Sequence, residues 1–319
     1  MSSRAAAAGY WFVLPACLLM VVILIVPVVI AALLSFTDYS LGNPTASWVG
    51  LDNYDRMVSS STYTRMLWAT AIYVGVVVPS SIGLGLGAAL LISSLKRFGD
   101  LYKTIYFLPV MAALLAMAIV WEFALHPSLG IVNRTLAAGC GGWPEAVFGW
   151  GWIPGVDGGA SWYVQGCRNG FPLWFRDRSY AIWTICFIGV WQAFGFNMVL
   201  YLAGLTSVPR DLYHAAEMDG AATAWDRFRL VTWPMLGPTT VFVVTITTIR
   251  SFQVFDVVEA ITRGGPSKST FVMMYAIYEK AIQQNLMGMG AAITVVFLAF
   301  VLLLTFAQRH LIEKRVHYR

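Results

Sequence analysis

"YHAAEMDGAATAWDRFRLVTWPMLGP", residues 213–238, sets His214, Glu217, Asp219, Asp226, Arg227 and Arg229 between two long apolar runs. Just ahead of it, Ser207 followed by Pro209 and Asp211 predicts a helix start. Leu212, Ala215 and Ala216 then share one helical face. Gly220 predicts the stop, because glycine takes positive φ without a Cβ clash. Asp219 is expected to cap a second helix. That helix carries Trp225, Phe228 and Thr232 on one side and Asp226 and Arg229 on the other, and Pro234 and Pro238 close it. The unit reads as two short helices about a glycine joint. It is either a loop lying on lipid headgroups or a surface for another protein. Headgroup-binding helices are usually richer in Lys and Arg, so the mixture of acids and bases favours a protein partner.

The flanking runs explain the setting. Of 319 residues, 58% are hydrophobic and only 12% charged, against roughly 25% charged in soluble domains. Mean hydropathy is +0.68. Such a chain cannot cover itself with polar groups in water, so an all-α integral membrane protein is expected. A spanning helix needs about 20 apolar residues. Six segments qualify, at about 10–36, 68–94, 104–125, 180–205, 236–262 and 286–308. The first is too long for a signal-peptide core and reads as an uncleaved span. Arg4, Lys96, Arg97, Lys103, Arg210, Arg227, Arg229, Arg309, Lys314, Arg315 and Arg319 fall in short segments on one side. Positive charge in short loops marks the cytoplasm. Both termini and a loop at 206–235 are therefore expected inside. A long, Gly- and Trp-rich loop at 126–179, between spans three and four, is expected outside. Cys140 and Cys167 lie in that loop. They pair if it faces an oxidising compartment, and otherwise stay free. Cys17 and Cys186 read as core thiols.

Several functions are excluded or disfavoured. There is no phosphate-binding G-x-x-x-x-G-K-[ST], no G-x-S-x-G and no H-E-x-x-H, so no enzyme site and no bound cofactor are expected. Scattered histidines give no metal site. A net charge of +5 without an aromatic-interleaved basic stripe gives no reason to expect a nucleic-acid partner. Gly83, Gly85 and Gly87 sit inside an apolar span, where Gly83 and Gly87 are expected to allow close helix packing. Polar groups in spans are costly and are functional by default. Trp191, Gln192, Phe194 and Asn197 in span four, with Gln253 and Phe255 in span five, combine the amides and aromatic faces that a sugar needs. Arg250, near mid-span, must face protein, water or ligand, and a phosphate would suit it. Arg250 and Gln253, and Gln253 and Asp256, are each three apart and are expected to meet on the helix surface. The same residues also suit helix–helix ties and core filling, and that alternative stays open. Asp256 and Glu259 also keep open a secondary transporter driven by an ion gradient. A third option is a membrane protein for assembly or sensing.

The opening stretch resembles the EAA loop of binding-protein-dependent ABC importer permeases. Ala215, Ala216, Asp219, Gly220, Ala221, Phe228, Pro234 and Pro238 match its pattern. "SFTDYS" with "WVGLDNYDRM", "YKTIYFLPVMAALLAMAIVWEFALHPSLGIVN" and "SFQVFDVVEAITRGGPSKST" resemble further parts of the maltose/glycerol-3-phosphate-type branch. The resemblance implies a single permease domain over 1–319 in a bacterial or archaeal plasma membrane. It implies import of a carbohydrate, polyol or glycerol-phosphate compound delivered by an external binding protein. It implies a second homologous permease and two ATPase subunits that carry the ATP and Mg. Residues 209–225 would seat in a cleft of an ATPase, with His214, Ala215, Ala216, Glu217, Asp219, Gly220 and Ala221 at the contact. The sugar path would use spans four and five. One departure is that His214 stands where the motif has Glu. Glu217, one turn on, is the expected substitute. The external loop is also longer than the resemblance leads one to expect.

Overall fold

The computed structural model describes residues 3–43, 45–95, 97–140, 166–167 and 170–312. Of the expected external loop, 141–165 and 168–169 lie outside the described residues. Among the described residues the chain is helical and has no named strand. One antiparallel bridge joins Thr37 and Trp48.

Two compact units divide the chain. The first holds residues 1–64 and 276–303. Helix α1 (Ser3–Met20) continues through a π turn, Val21–Ile25, into α2 (Val26–Leu34). From Phe12 to Leu34 mean hydropathy is 3.3, and none of the window is buried within the chain. A surface this apolar needs lipid or another protein beside it. Where α2 ends, the Asn53 amide of α3 (Asp52–Ser59) donates to the Ser35 and Thr37 carbonyls, each at 2.9 Å. These bonds serve carbonyls that the helix end leaves open. The Tyr54 hydroxyl donates to Ser35 Oγ at 2.7 Å. The following hook is held by Leu41 N–H on Asn285 O and Gly288 N–H on Tyr39 O, both 2.9 Å.

The second unit holds residues 65–275 and 304–319. It takes most of α4 (Ser61–Ser94), then α5 (Gly99–Met111), α6 (Leu114–Ala124), α7 (Ile131–Ala138) and α8 (Arg178–Thr206). Next come α9 (Arg210–Met218), α10 (Ala224–Arg227), a π turn at Phe228–Thr232, α11 (Trp233–Met235) and α12 (Gly237–Phe252). A further π turn, Val258–Thr262, precedes α13 (Met273–Tyr278), whose residues from Ala276 belong to the first unit, and α14 (Met287–Ile312) belongs to the first unit up to Leu303. Helix α8 packs against both α5 and α12. Ala89 and Ile92 of α4, Met198 and Tyr201 of α8, and Leu236 and Val243 form one buried cluster.

Among the described residues, four stretches are long and apolar enough to cross a membrane: Phe12–Leu34, Ser61–Ser94, Arg178–Thr206 and Met287–Gln308. Two bent pairs raise the number to as many as six. The third expected span is one of them, bent by 101° between Gly99–Met111 and Leu115–Ala124. Its cause is the extended backbone at Ala112 and Ala113. The second bent pair joins Ala224–Met235 to Gly237–Phe252 at 67°. The fifth expected span does not run on to 262 as one helix, because its regular part stops at Phe252. The glycine expectation is also corrected. A Cβ on Gly85 would sit 2.8 Å from Asn197 Cβ, while Cβ atoms on Gly83 and Gly87 would meet nothing within 4 Å. Residues two apart point to nearly opposite sides of a helix. The middle glycine therefore faces α8, and its neighbours face away from it.

Candidate functional site

Two places bring the candidate residues together. The first is the charged unit after α8. Helix α9 ends at Asp219, and Gly220 follows with φ +91°. Gly220 N–H donates to Glu217 O at 3.1 Å, and Ala221 N–H donates to Ala216 O at 2.9 Å. This paired closure is a Schellman turn, and it requires a left-handed residue where Gly220 stands. The apolar contact that accompanies such a turn is present. Val208, Ala216, Ala221 and Val231 form a buried cluster with Tyr213 packed on it. The Tyr213 hydroxyl and Thr232 Oγ1 share a hydrogen bond of 3.1 Å. Glu217 Oε1 accepts from Arg227 Nη1 at 2.8 Å, which ties α9 to α10. His214 Nδ1 lies 3.8 Å from Glu217 Oε2, an ion pair only when the imidazole is protonated.

The caps differ from the expected ones. Ser207 ends α8, its hydroxyl donating to Gly204 O at 2.7 Å, and Pro209 occupies the N-cap of α9. Asp219 caps nothing that follows. Gly220 turns the chain away, and Thr223 starts α10 with a capping box to Asp226. The Thr223 hydroxyl and then its backbone N–H donate to the Asp226 carboxylate and hold it below the usual carboxylate range. The expected Leu212–Ala215–Ala216 face is corrected too. Ala216 is buried, whereas Leu212 and Ala215 are exposed. Of the candidate contact residues, Ala216 and Ala221 serve the chain's own cluster. His214, Ala215, Glu217, Asp219 and Gly220 are exposed. Met218 is 88% exposed. The sequence reading passed over it, although it lies three residues on from Ala215, on the face turned away from Tyr213 and Ala216.

The second place is a cavity of about 330 Å³ among α4, α5, α8 and α12. Gln192, Asn197, Arg250, Gln253, Phe255 and Asp256 line it. Arg250 lies in the last turn of α12 with its guanidinium 4.2 Å from the Phe196 ring centroid. Gln253 caps the helix through its N–H to Arg250 O at 3.1 Å. Regular helix stops there and resumes only near Asp256. Gln253 and Asp256 thus do not sit on one helical turn, as their spacing suggested, yet both reach the cavity. Within a membrane, irregular backbone is tolerated where protein or a water-filled cavity surrounds it.

Asn197 is 0% exposed. Its Nδ2 donates to Ser81 Oγ at 3.2 Å, and its Oδ1 accepts from Thr247 Oγ1 at 2.8 Å. That geometry makes it a tie between α4, α8 and α12. Trp191 and Phe194 do not join the cavity. Trp191 packs edge-on against Trp121 at 5.4 Å, and Phe194 packs edge-on against Tyr106 at 5.6 Å. Tyr73 and Phe196 line it unforeseen, beside Ser251, one of the polar residues of the fifth expected span. Phe196 was legible, since it lies four residues after Gln192 on the same face, while Trp191 and Phe194 lie off that face. In the loop expected to be external, Cys140 and Cys167 are bonded with Cα atoms 5.6 Å apart. Nearby, Trp174 Nε1 donates to Asn133 Oδ1 at 2.7 Å. Among the described residues no cluster of metal ligands occurs.

Comparison with known proteins gives a consistent set of relatives. The model of the binding-protein-dependent transport system inner membrane component family matches residues 81–317. A probable ABC transporter permease of Pyrococcus horikoshii is 28% identical, over 91% of this chain and 90% of that protein. The sn-glycerol-3-phosphate transport system permease UgpA of Agrobacterium fabrum is 27% identical, over 86% and 84%. YesP of Bacillus subtilis, a probable ABC transporter permease, is 29% identical, over 98% and 92%. In fold, the chain is similar to a chain of a bacterial ABC transporter that imports the acidic polysaccharide alginate. The TM-score is 0.78 at 19% identity, covering 98% of this chain and 96% of that one. The same holds for an alginate transporter in complex with a periplasmic protein carrying an alginate pentasaccharide, with a TM-score of 0.76 at 19% identity.

Proposed function

Because this chain belongs to the family of binding-protein-dependent transport system inner membrane components, we propose that it is the pore-forming permease of an ATP-driven importer for a carbohydrate-type substrate. An external binding protein delivers the substrate. A second permease completes the pore, and two ATPase subunits hydrolyse ATP with Mg. The complex sits in a bacterial or archaeal plasma membrane with both termini of this chain cytoplasmic. All six apolar segments of the sequence then count as spans.

The observation that carries this reading is the unit from Arg210 to Met235. It is braced internally by the Schellman turn, the Tyr213–Thr232 bond and the Glu217–Arg227 pair. Such bracing lets it move as one piece. It nevertheless leaves Met218 and Leu212 uncovered, and exposed Asp211 and Asp219 flank them. Carboxylates on that face disfavour an anionic lipid surface and suit a protein cleft. ATP-driven closure of the partners would carry the knuckle with it and bias a two-state pore. Glu217 is already held by Arg227, so the contact there is mainly apolar, with His214 at its edge. The cavity among α4, α5, α8 and α12 is the substrate path, with Gln192, Arg250, Gln253, Phe255 and Asp256 facing it. Asn197 holds its walls together.

The test is ATP hydrolysis and uptake by the purified complex in proteoliposomes. Substrate-loaded binding protein is expected to stimulate both. Uptake by this chain alone, driven by an ion gradient and indifferent to ATP, would replace the proposal with a secondary transporter.

A further inference from the structure

The knuckle has a second open face, and its chemistry differs from that of α9. From Ala224 to Met235 the chain forms a limb bent at 67° to α12. With α12 crossing the bilayer, such a limb runs closer to the membrane plane than to its normal. Its inner side is packed: Val231 joins the cluster with Ala216, and Thr232 bonds Tyr213. Its outer side is open. Trp225 is 68% exposed, Leu230 62% and Trp233 48%. Trp225 and Trp233 are eight residues apart, which a regular helix would leave about 80° off a common face. The π turn at Phe228–Thr232 takes up an extra residue between them. Both indoles lie against the Phe228 ring, with centroids at 5.5 and 6.0 Å. Arg227 is held by Glu217, and Asp226 is turned back on Thr223. Arg229 is exposed and, among the described residues, makes no hydrogen bond or ion pair through its side chain. Between the limb and the ends of α4 and α8 opens a cavity of about 700 Å³, with Leu90, Leu205, Trp225 and Phe228 in its wall.

We propose that this limb is a bearing seated in the phospholipid headgroup layer, with Trp225 and Trp233 at the boundary of headgroup and hydrocarbon and Arg229 on an anionic lipid phosphate. That the leaflet is the cytoplasmic one rests on the orientation proposed above. An indole is apolar over most of its surface and carries one N–H, so it is most stable where hydrocarbon meets headgroups. The guanidinium fork matches phosphate oxygens. One arginine grips an anionic surface only weakly, but the adjoining span already holds the limb there, so no basic cluster is needed. The two faces divide the knuckle's partners. Helix α9 sets Met218 beside the Asp211 and Asp219 carboxylates and suits a protein. The limb sets two indoles beside an arginine and suits lipid. When a protein partner moves α9, the limb turns on the lipid surface and does not lift away from it.

The experiment uses the whole complex in nanodiscs of phosphatidylcholine that include a headgroup-spin-labelled lipid. In a background without Cys17 and Cys186, Leu230→Cys and Met218→Cys each carry a bimane fluorophore. The label at Leu230 is expected to lose most of its emission to the spin label, and the label at Met218 little. Adding phosphatidylglycerol is expected to deepen the quenching at Leu230, and Arg229→Gln is expected to cancel that gain. Trp225→Ser with Trp233→Ser is expected to lose the quenching and to weaken substrate-stimulated ATP hydrolysis. Trp225→Tyr with Trp233→Tyr keeps a ring with a polar tip and is expected to restore both. Quenching at Leu230 no greater than at Met218 overturns the proposal. So does a crosslink from Leu230→Cys to another subunit in high yield, which would make protein the occupant, and so does wild-type coupling in the paired serine variant. The quenching needs no transport, so its absence counts against the lipid contact alone. Quenching without ATP-dependent uptake upholds the contact and counts against the importer reading alone.

Discussion

At the scale of single residues, two positions separate holding the fold from doing the work. Asn197 has both ends of its amide engaged on other helices, so it has little left for a ligand. Replacing it with Leu leaves the Thr247 hydroxyl without its acceptor, at a cost of about 1–3 kcal/mol, and takes from Ser81 Oγ one of two hydrogen bonds, the one to Val78 O remaining. Asn197→Leu is expected to lower the thermal midpoint of the purified chain. In complexes that survive, KM should stay within about twofold of wild type. A large selective change in KM without loss of stability would return Asn197 to the ligand. Gly220 is the second position. Its Cβ would meet nothing within 4 Å, so space does not demand glycine there, but φ +91° does. An alanine in left-handed backbone costs roughly 1–2 kcal/mol, whereas asparagine tolerates it better. Gly220→Ala is expected to weaken substrate-stimulated ATP hydrolysis, and Gly220→Asn is expected to restore most of it. Equal coupling in both variants would mean that the turn does not constrain the knuckle.

At the scale of elements, the knuckle was legible as two helices about a glycine because its signals are local. A left-handed stop, a following helix start and closing prolines all act within a few residues. Which face it exposes was not legible. That depends on Val231, in the π turn after α10, packing with Ala216 and Ala221. The cavity divides the same way. Polar residues in apolar runs pointed to α8 and α12, but which of them face inward is set by packing. Asn197 meets Ser81, 116 positions away, and no local pattern encodes that meeting. The helix break at Gln253 was hidden because the residues around it are apolar or helix-compatible. Burial now predicts how the knuckle can be captured. In a complex assembled with its ATPase partners, Met218→Cys is expected to crosslink to a nucleotide-binding subunit in high yield, and Ala216→Cys is expected to fail. The reverse pattern would mean that α9 presents its other face. The Glu217–Arg227 pair is roughly half exposed, so a double-mutant cycle should assign it only about 0.2–1 kcal/mol.

At the scale of the whole molecule, the proposed orientation rests on two physical arguments that share no residues. Lys and Arg concentrate in the short segments that include the knuckle, and such segments stay on the cytoplasmic side. The Cys140–Cys167 bond lies in the long loop between spans three and four, and disulfides persist in oxidising compartments, not in the cytosol. One argument concerns the membrane potential and surface charge during insertion, the other the redox chemistry afterwards. They agree only if the loop and the knuckle lie on opposite sides. Labelling of intact cells tests this with a membrane-impermeant maleimide. With Cys17 and Cys186 replaced, the wild-type pair is expected to stay unlabelled until an impermeant reductant is added outside, and then to label fully. In a background without the other cysteines, Met218→Cys is expected to stay unlabelled in intact cells and to label in inverted vesicles. Labelling of Met218→Cys from outside would invert the topology. It would move the knuckle away from any cytoplasmic ATPase, whatever the fold around it.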